Sequence, residues 1–195
     1  MATKPAKKPA ATRNFRQDTP ATFERAAMVC PNEQVAASIA RHFGLDPVDY
    51  AGIREATEEM IGTHAKLLAD TVNEKAMAIH LQRIVGAMVS SANSAGIFYG
   101  AKVTDARDLT SRLANDARDE DRDGPLGFDS KAQRARHFAA EVGLQAYSFL
   151  AAAEGAVDAF AAVTGNAWKP YERPPTNPET VSLQAAEAEL NAFGG

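Results

Sequence analysis

Apolar side chains recur at steps of three and four along two long stretches of the chain. Met77, Leu81, Ile84, Val85, Met88, Ala92, Ala95 and Tyr99 make the first stripe; Phe138, Val142, Ala146, Phe149, Ala153, Ala156, Phe160 and Val163 make the second. A helix of 3.6 residues per turn gathers such positions on one face. Gly86, Ser90 and Ser94 lie four apart, which predicts a thin ridge where the Ala-rich segment 131–163 approaches closely. No segment alternates apolar and polar residues long enough to predict a strand. The pattern predicts an all-α chain.

Proline placement sets the element boundaries. Residues 48–124 and 126–169 contain none, and an interior proline costs a helix about 3 kcal/mol, so both blocks suit long helices. Thr19-Pro20, Asp46-Pro47 and Asn177-Pro178 each pair a capping side chain with a proline that has no amide to satisfy. Thr71 with Glu74 and Ser130 with Gln133 have capping-box spacing. These marks predict short helices at 20–29 and 33–43, and longer ones from Pro47 to Ala69 and from Val72 to Tyr99. Further helices are predicted from Asp105 to Arg118, from Lys131 to Val163 and from Pro178 to Phe193. The economical architecture is an antiparallel helical bundle of about four main helices, with short N-terminal helices and a C-terminal amphipathic helix.

Composition sharpens this picture at the ends. Alanine accounts for 40 of 195 residues and aromatics for only 7%, a mixture suited to closely packed helices. The net charge is −4, but residues 1–17 carry Lys4, Lys7, Lys8, Arg13 and Arg16 with no acid, leaving −9 on the rest. Four domains follow: a disordered basic tail (1–18), the bundle (19–169), a Pro-rich linker (170–177) and a short amphipathic helix (178–195). Over about eight residues the tail resembles, in composition, the Lys-Pro-Ala tails of linker histones. Basic residues at the start have no apolar run behind them, unlike a secretory signal, and the one cysteine, Cys30, cannot form an internal disulfide. A cytoplasmic location is expected. The uncharged run Ile84–Ala101 carries Ser90, Ser91, Asn93 and Ser94, so it is read as a buried helix and no membrane contact is expected.

Few residues have the spacing that chemistry demands. None of the four histidines follows a Glu by three, the spacing of di-metal bundle sites; His137 and Glu141 share a face as one surface pair. Asp119, Asp121, Asp123 and Gly124 spell D-x-D-x-D-G with an apolar Leu126, which resembles the first half of an EF-hand calcium loop. Ser130 stands where that loop needs a bidentate Glu, so the resemblance implies weak binding at Asp119, Asp121 and Asp123. Otherwise no metal or cofactor is expected. Cys30 precedes Pro31 between two short helices and reads as a buried thiol. No nucleophile-elbow, Walker-type or dinucleotide-binding pattern occurs, so no catalytic residue is assigned.

The termini carry the remaining signal. Trp168-Lys169-Pro170-Tyr171 is predicted to fold back over the bundle end, ahead of the Pro174-Pro175 linker. Beyond it, Leu183, Ala186, Leu190 and Phe193 mark one face of the last helix, a groove-docking element for a partner, a second copy or the bundle itself. The expected function is therefore non-enzymatic, structural or adaptor, exercised through a protein partner or a homo-oligomer. One alternative is accessory nucleic-acid binding through Lys4, Lys7, Lys8, Arg13 and Arg16. Another is a weak calcium response.

Overall fold

The computed structural model describes residues 20–119 and 126–171. Five helices follow in order: α1 (Phe23–Val29), α2 (Glu33–Phe43), α3 (Tyr50–Ala69), α4 (Glu74–Asp119) and α5 (Leu126–Thr164). No strand occurs among the described residues, and the fold is an all-α bundle. The predicted tail, most of the linker and the last helix fall in 1–19 and 172–195, outside the described residues.

Local chemistry starts and stops the helices, sometimes beside the predicted caps. Thr22 accepts from the Arg25 amide and Asn32 from Val35, so α1 begins three residues beyond Thr19-Pro20. Asp49 rather than Asp46 caps α3, accepting from Gly52 at 3.0 Å. At the next break Thr71 donates to the Leu68 carbonyl and finishes α3, leaving Asn73 to cap α4 through the Ala76 amide. Segments 50–69 and 74–119 are thus two helices. Gly44 in the left-handed region ends α2, and the Gly165 amide donates to Ala161 at the end of α5.

Two boundaries differ more. The predicted gap between Tyr99 and Asp105 does not exist: α4 runs unbroken for 46 residues, about 69 Å at 1.5 Å per residue. A lone Gly100 costs a helix only about 1 kcal/mol. Tyr99, Val103 and Ala106 keep the apolar step of four and three across it. Likewise α5 begins at Leu126, five residues before Lys131, so backbone 126–130 is already helical.

The two rods centred on Met88 and Ala153 pack against each other, and α4 with α5 forms the most extensive interface. They run antiparallel: Tyr99 lies against Gly143, while Trp168, just past α5, reaches Gln82. The core is thin where α5 passes through it. Ala146, Ala151, Ala153 and Ala156 are fully buried, and the largest side chains buried as completely are Ile61, Leu81, Val85 and Val89. By length and composition Lys131–Thr164 is apolar enough to cross a membrane, but half of its most apolar window is buried inside the bundle. Its apolarity is that of a helix covered by α2, α3 and α4.

Packing corrects two sequence readings. Phe138 and Phe149 stand 47% and 39% exposed, because Leu144, Tyr147 and Leu150 also turn inward and rotate the buried face past the predicted stripe. The small-residue ridge is also misplaced. Ser90 and Ser94 are exposed and Gly86 faces Trp168 rather than α5. Backbones meet closely elsewhere: the end of α1 crosses α4 at Gly96, where a Cβ would stand 2.8 Å from the Val29 carbonyl carbon, and α3 crosses α5 at Gly155.

Candidate docking surfaces

Both ends of the described chain arrive at one face of α4. The Trp168 indole N–H donates to the Gln82 carbonyl at 3.2 Å, and the Gln82 amide donates back to the Lys169 carbonyl at 3.0 Å. The Arg83 guanidinium sits over the Tyr171 ring, 5.3 Å from its centre. Pro20 and Ala21 border the same shallow cleft of about 250 Å³, with Gly86 and Ser90 on its floor. The predicted fold-back of 168–171 is therefore present, held by hydrogen bonds as well as by ring packing.

A second surface lies where α2 ends against the α4–α5 pair. Ile39 and Phe43 of α2, Tyr99, Val103 and Ala106 of α4, and Ala139 and Ala140 of α5 enclose a largely apolar groove of about 320 Å³. Val103 remains 43% exposed there. Arg107 and Arg136 border it on α4 and α5, and neither forms an ion pair among the described residues. Burial raises the Tyr99 phenol above its ordinary value. Sequence reasoning missed this groove because it ended the helix at Tyr99, although the Tyr99-Val103-Ala106-Thr110 spacing was the signal for it.

A wider opening, about 700 Å³, lies between α2, the start of α3 and α5. Tyr50 and Tyr147 stack at its floor with ring centres 4.6 Å apart, and Glu33 and Asp49 border it. The Tyr50 hydroxyl donates to Glu154 at 2.6 Å; burial first, then that carboxylate, raises its pKa. Burial also raises Tyr147, helped by the charges of Glu33 and Glu154. One turn along, Arg54 donates to Asp158 through two nitrogens at 3.1 and 2.7 Å, and that pairing raises its pKa further. The network fixes the register of α3 on α5 at a half-exposed surface.

The remaining candidates are structural. The Cys30 thiol is 7% exposed and donates to the Ala92 carbonyl at 3.3 Å, and burial pushes its pKa up to about 11. An inert thiol results. The His64 and His80 rings face each other at 5.4 Å, and the buried Nε2 of His64 has no partner. No group of three or more metal-ligating side chains occurs among the described residues. His137 and Glu141 do meet, at 3.4 Å, with both side chains about half exposed.

The sequence-predicted sites lie mostly beyond view. Lys4, Lys7, Lys8, Arg13 and Arg16, and likewise Leu183, Ala186, Leu190 and Phe193, are outside the described residues, as are Asp121 and Asp123. Asp119 is the last residue of α4, and the helix resumes at Leu126, the eighth position of the resembled calcium loop. In comparisons with known proteins the chain matches no family model, no curated protein and no solved structure.

Proposed function

We propose that this protein is a non-enzymatic scaffold that works by assembly, the bundle fixing the position of two contact arms. The observation that carries this reading is the shared origin of the arms. Pro20 and Tyr171 border one cleft on α4, so residues 1–19 and 172–195 depart from the same patch. Their charges are opposed: the first 17 residues hold five cations and no acid, while 172–195 hold four Glu and one Arg. A rigid body with two oppositely charged arms at one point is suited to joining a partner or a second copy. The buried thiol of Cys30 fits a reducing, cytoplasmic setting.

Light scattering on the full chain and on variants lacking 1–17 or 172–195 tests the reading, with melting curves to verify folding. Loss of an assembly, or of a captured protein partner, on removing an arm is the expected result. Unchanged mass and unchanged partner capture in both variants rejects it. Salt-sensitive retention on DNA or RNA that disappears with residues 1–17 would replace it with the nucleic-acid reading.

A further inference from the structure

We propose that the groove between α2, α4 and α5 receives residues 183–193 of a second copy of this chain. The inference rests on the assembly reading above and names the surface that performs it. Three observations carry it: the charge around the groove, the pattern of the segment, and the distance between them.

Tyr99, Val103 and Phe43 line the groove together with Arg107 from α4 and Arg136 from α5, and no carboxylate is paired to either arginine among the described residues. Residues 178–195 contain Glu179, Glu187 and Glu189 and no Lys or Arg. Wound as a helix at about 100° per residue, Leu183, Ala186, Leu190 and Phe193 form one stripe, with Glu187 and Glu189 about 80° to either side of its centre. An apolar strip flanked by two anions is thus matched to an apolar slot flanked by two cations. Apolar burial supplies the attraction, while the charges set orientation and register.

Distance favours a second copy over the segment's own bundle. Tyr171 is held against Arg83. Val103 lies 20 residues farther along α4, about 30 Å away, and twenty steps of about 100° put it on the opposite side of the helix from Arg83. Residues 172–182, stiffened by Pro174, Pro175 and Pro178, span about 34 Å in the polyproline II conformation at about 3.1 Å each. The axial distance takes most of that length, so reaching its own groove around α4 would hold the linker almost straight, at a cost in chain entropy. A neighbouring copy imposes no such path. The contact joins two different surfaces, so repetition gives a closed ring or a growing chain of subunits.

Full-length Val103→Cys and Leu190→Cys proteins, mixed under mild oxidation with Cys30 left in its buried site, test the proposal. The expected product is a 103–190 disulfide heterodimer in excess of either homodimer. Arg107→Glu with Arg136→Glu in the first protein should lower its yield about tenfold, a change of about 1.4 kcal/mol. Glu187→Lys with Glu189→Lys in the second should restore it. An internal disulfide in monomers of the Val103→Cys/Leu190→Cys double variant overturns the proposal and assigns the groove to the chain's own segment. Assembly by light scattering without any 103–190 product overturns the groove and leaves the assembly reading standing. A strict monomer that captures no partner overturns both.

Discussion

The backbone carbonyl of Arg54 lies directly against Cα of Gly155, so that a Cβ on residue 155 would collide with it. One turn farther along α5, the Arg54 side chain closes on Asp158. Main chain and side chain of one residue therefore lock α3 to α5 at consecutive turns. Only the first of these contacts is sensitive to a single methyl group.

Gly155→Ala should destabilise the protein by about 1–3 kcal/mol, because the atom it meets is backbone and cannot swing away. Gly62→Ala, in the same α3 but with open space around its Cβ position, should stabilise by about 0.4–1 kcal/mol. Urea midpoints of the two variants check the pair, and equal effects would disprove the close crossing.

Stability should fall as pH rises above about 9. Cys30, Tyr50, Tyr99 and Tyr147 all have folded pKa values raised by burial. The unfolded chain therefore loses these protons first, and the slope of stability against pH is negative. The contribution is intact below the unfolded thiol value and is lost as pH approaches about 11 for Cys30, on the order of 2 kcal/mol for that group. Cys30→Ala should flatten the curve between pH 9 and 11; an unchanged slope would mean that the thiol is not sequestered.

The buried face of α5 can be mapped by truncation. Leu81→Ala removes a fully buried side chain from the core that α4 and α5 share and should cost about 2–5 kcal/mol. Phe149→Ala, at a 39% exposed site, should cost less than about 1 kcal/mol despite the larger side chain. The reverse order in thermal melts would restore the simple stripe through Phe149.

Trp168 is the only tryptophan and reports on the cleft where the arms depart. Trp168→Phe retains an aromatic ring but leaves the Gln82 carbonyl without its donor, a loss of about 0.5–1.5 kcal/mol. In the native chain, binding of either arm to a partner should shift the indole emission. Silence of that signal while the assembly mass changes would separate the cleft from the contact.

Millimolar calcium should leave the melting temperature unchanged. Helix α5 starts at Leu126, leaving six residues between Asp119 and the next helix instead of an open twelve-residue loop. A rise of several degrees in a calcium titration followed by melting would disprove this expectation.

Much of the bundle was legible in the sequence because its signals are local. The predicted span 33–43, the predicted end at Val163 and the helices filling the proline-free blocks are kept by the structure to within a residue or a few. Two kinds of error have one origin. A helix ending at Tyr99 and a core position at Phe149 are what isolated-helix rules predict, because those rules ignore what packs alongside. Packing of Tyr99 against α5 at Gly143 holds the helix on the bundle just before Gly100, while inward-facing Leu144, Tyr147 and Leu150 displace the stripe. Cap competition explains the shifted starts: Asp49 and Asn73 each lie one residue ahead of their helix, whereas Asp46 and Thr71 do not. The groove bordered by Arg107 and Arg136 depended on that continuous helix, so it was invisible while the helix was cut at Tyr99.

The convergence of Pro20 and Tyr171 beside Gly86 has a practical corollary for handling the molecule. An affinity tag or fluorescent fusion joined directly at Pro20 or Tyr171 would stand at the same patch. The end of α4 at Asp119 lies about 50 Å along the rod from Gly86 at 1.5 Å per residue. A reporter inserted directly after Asp119 would stand at that end, away from the patch.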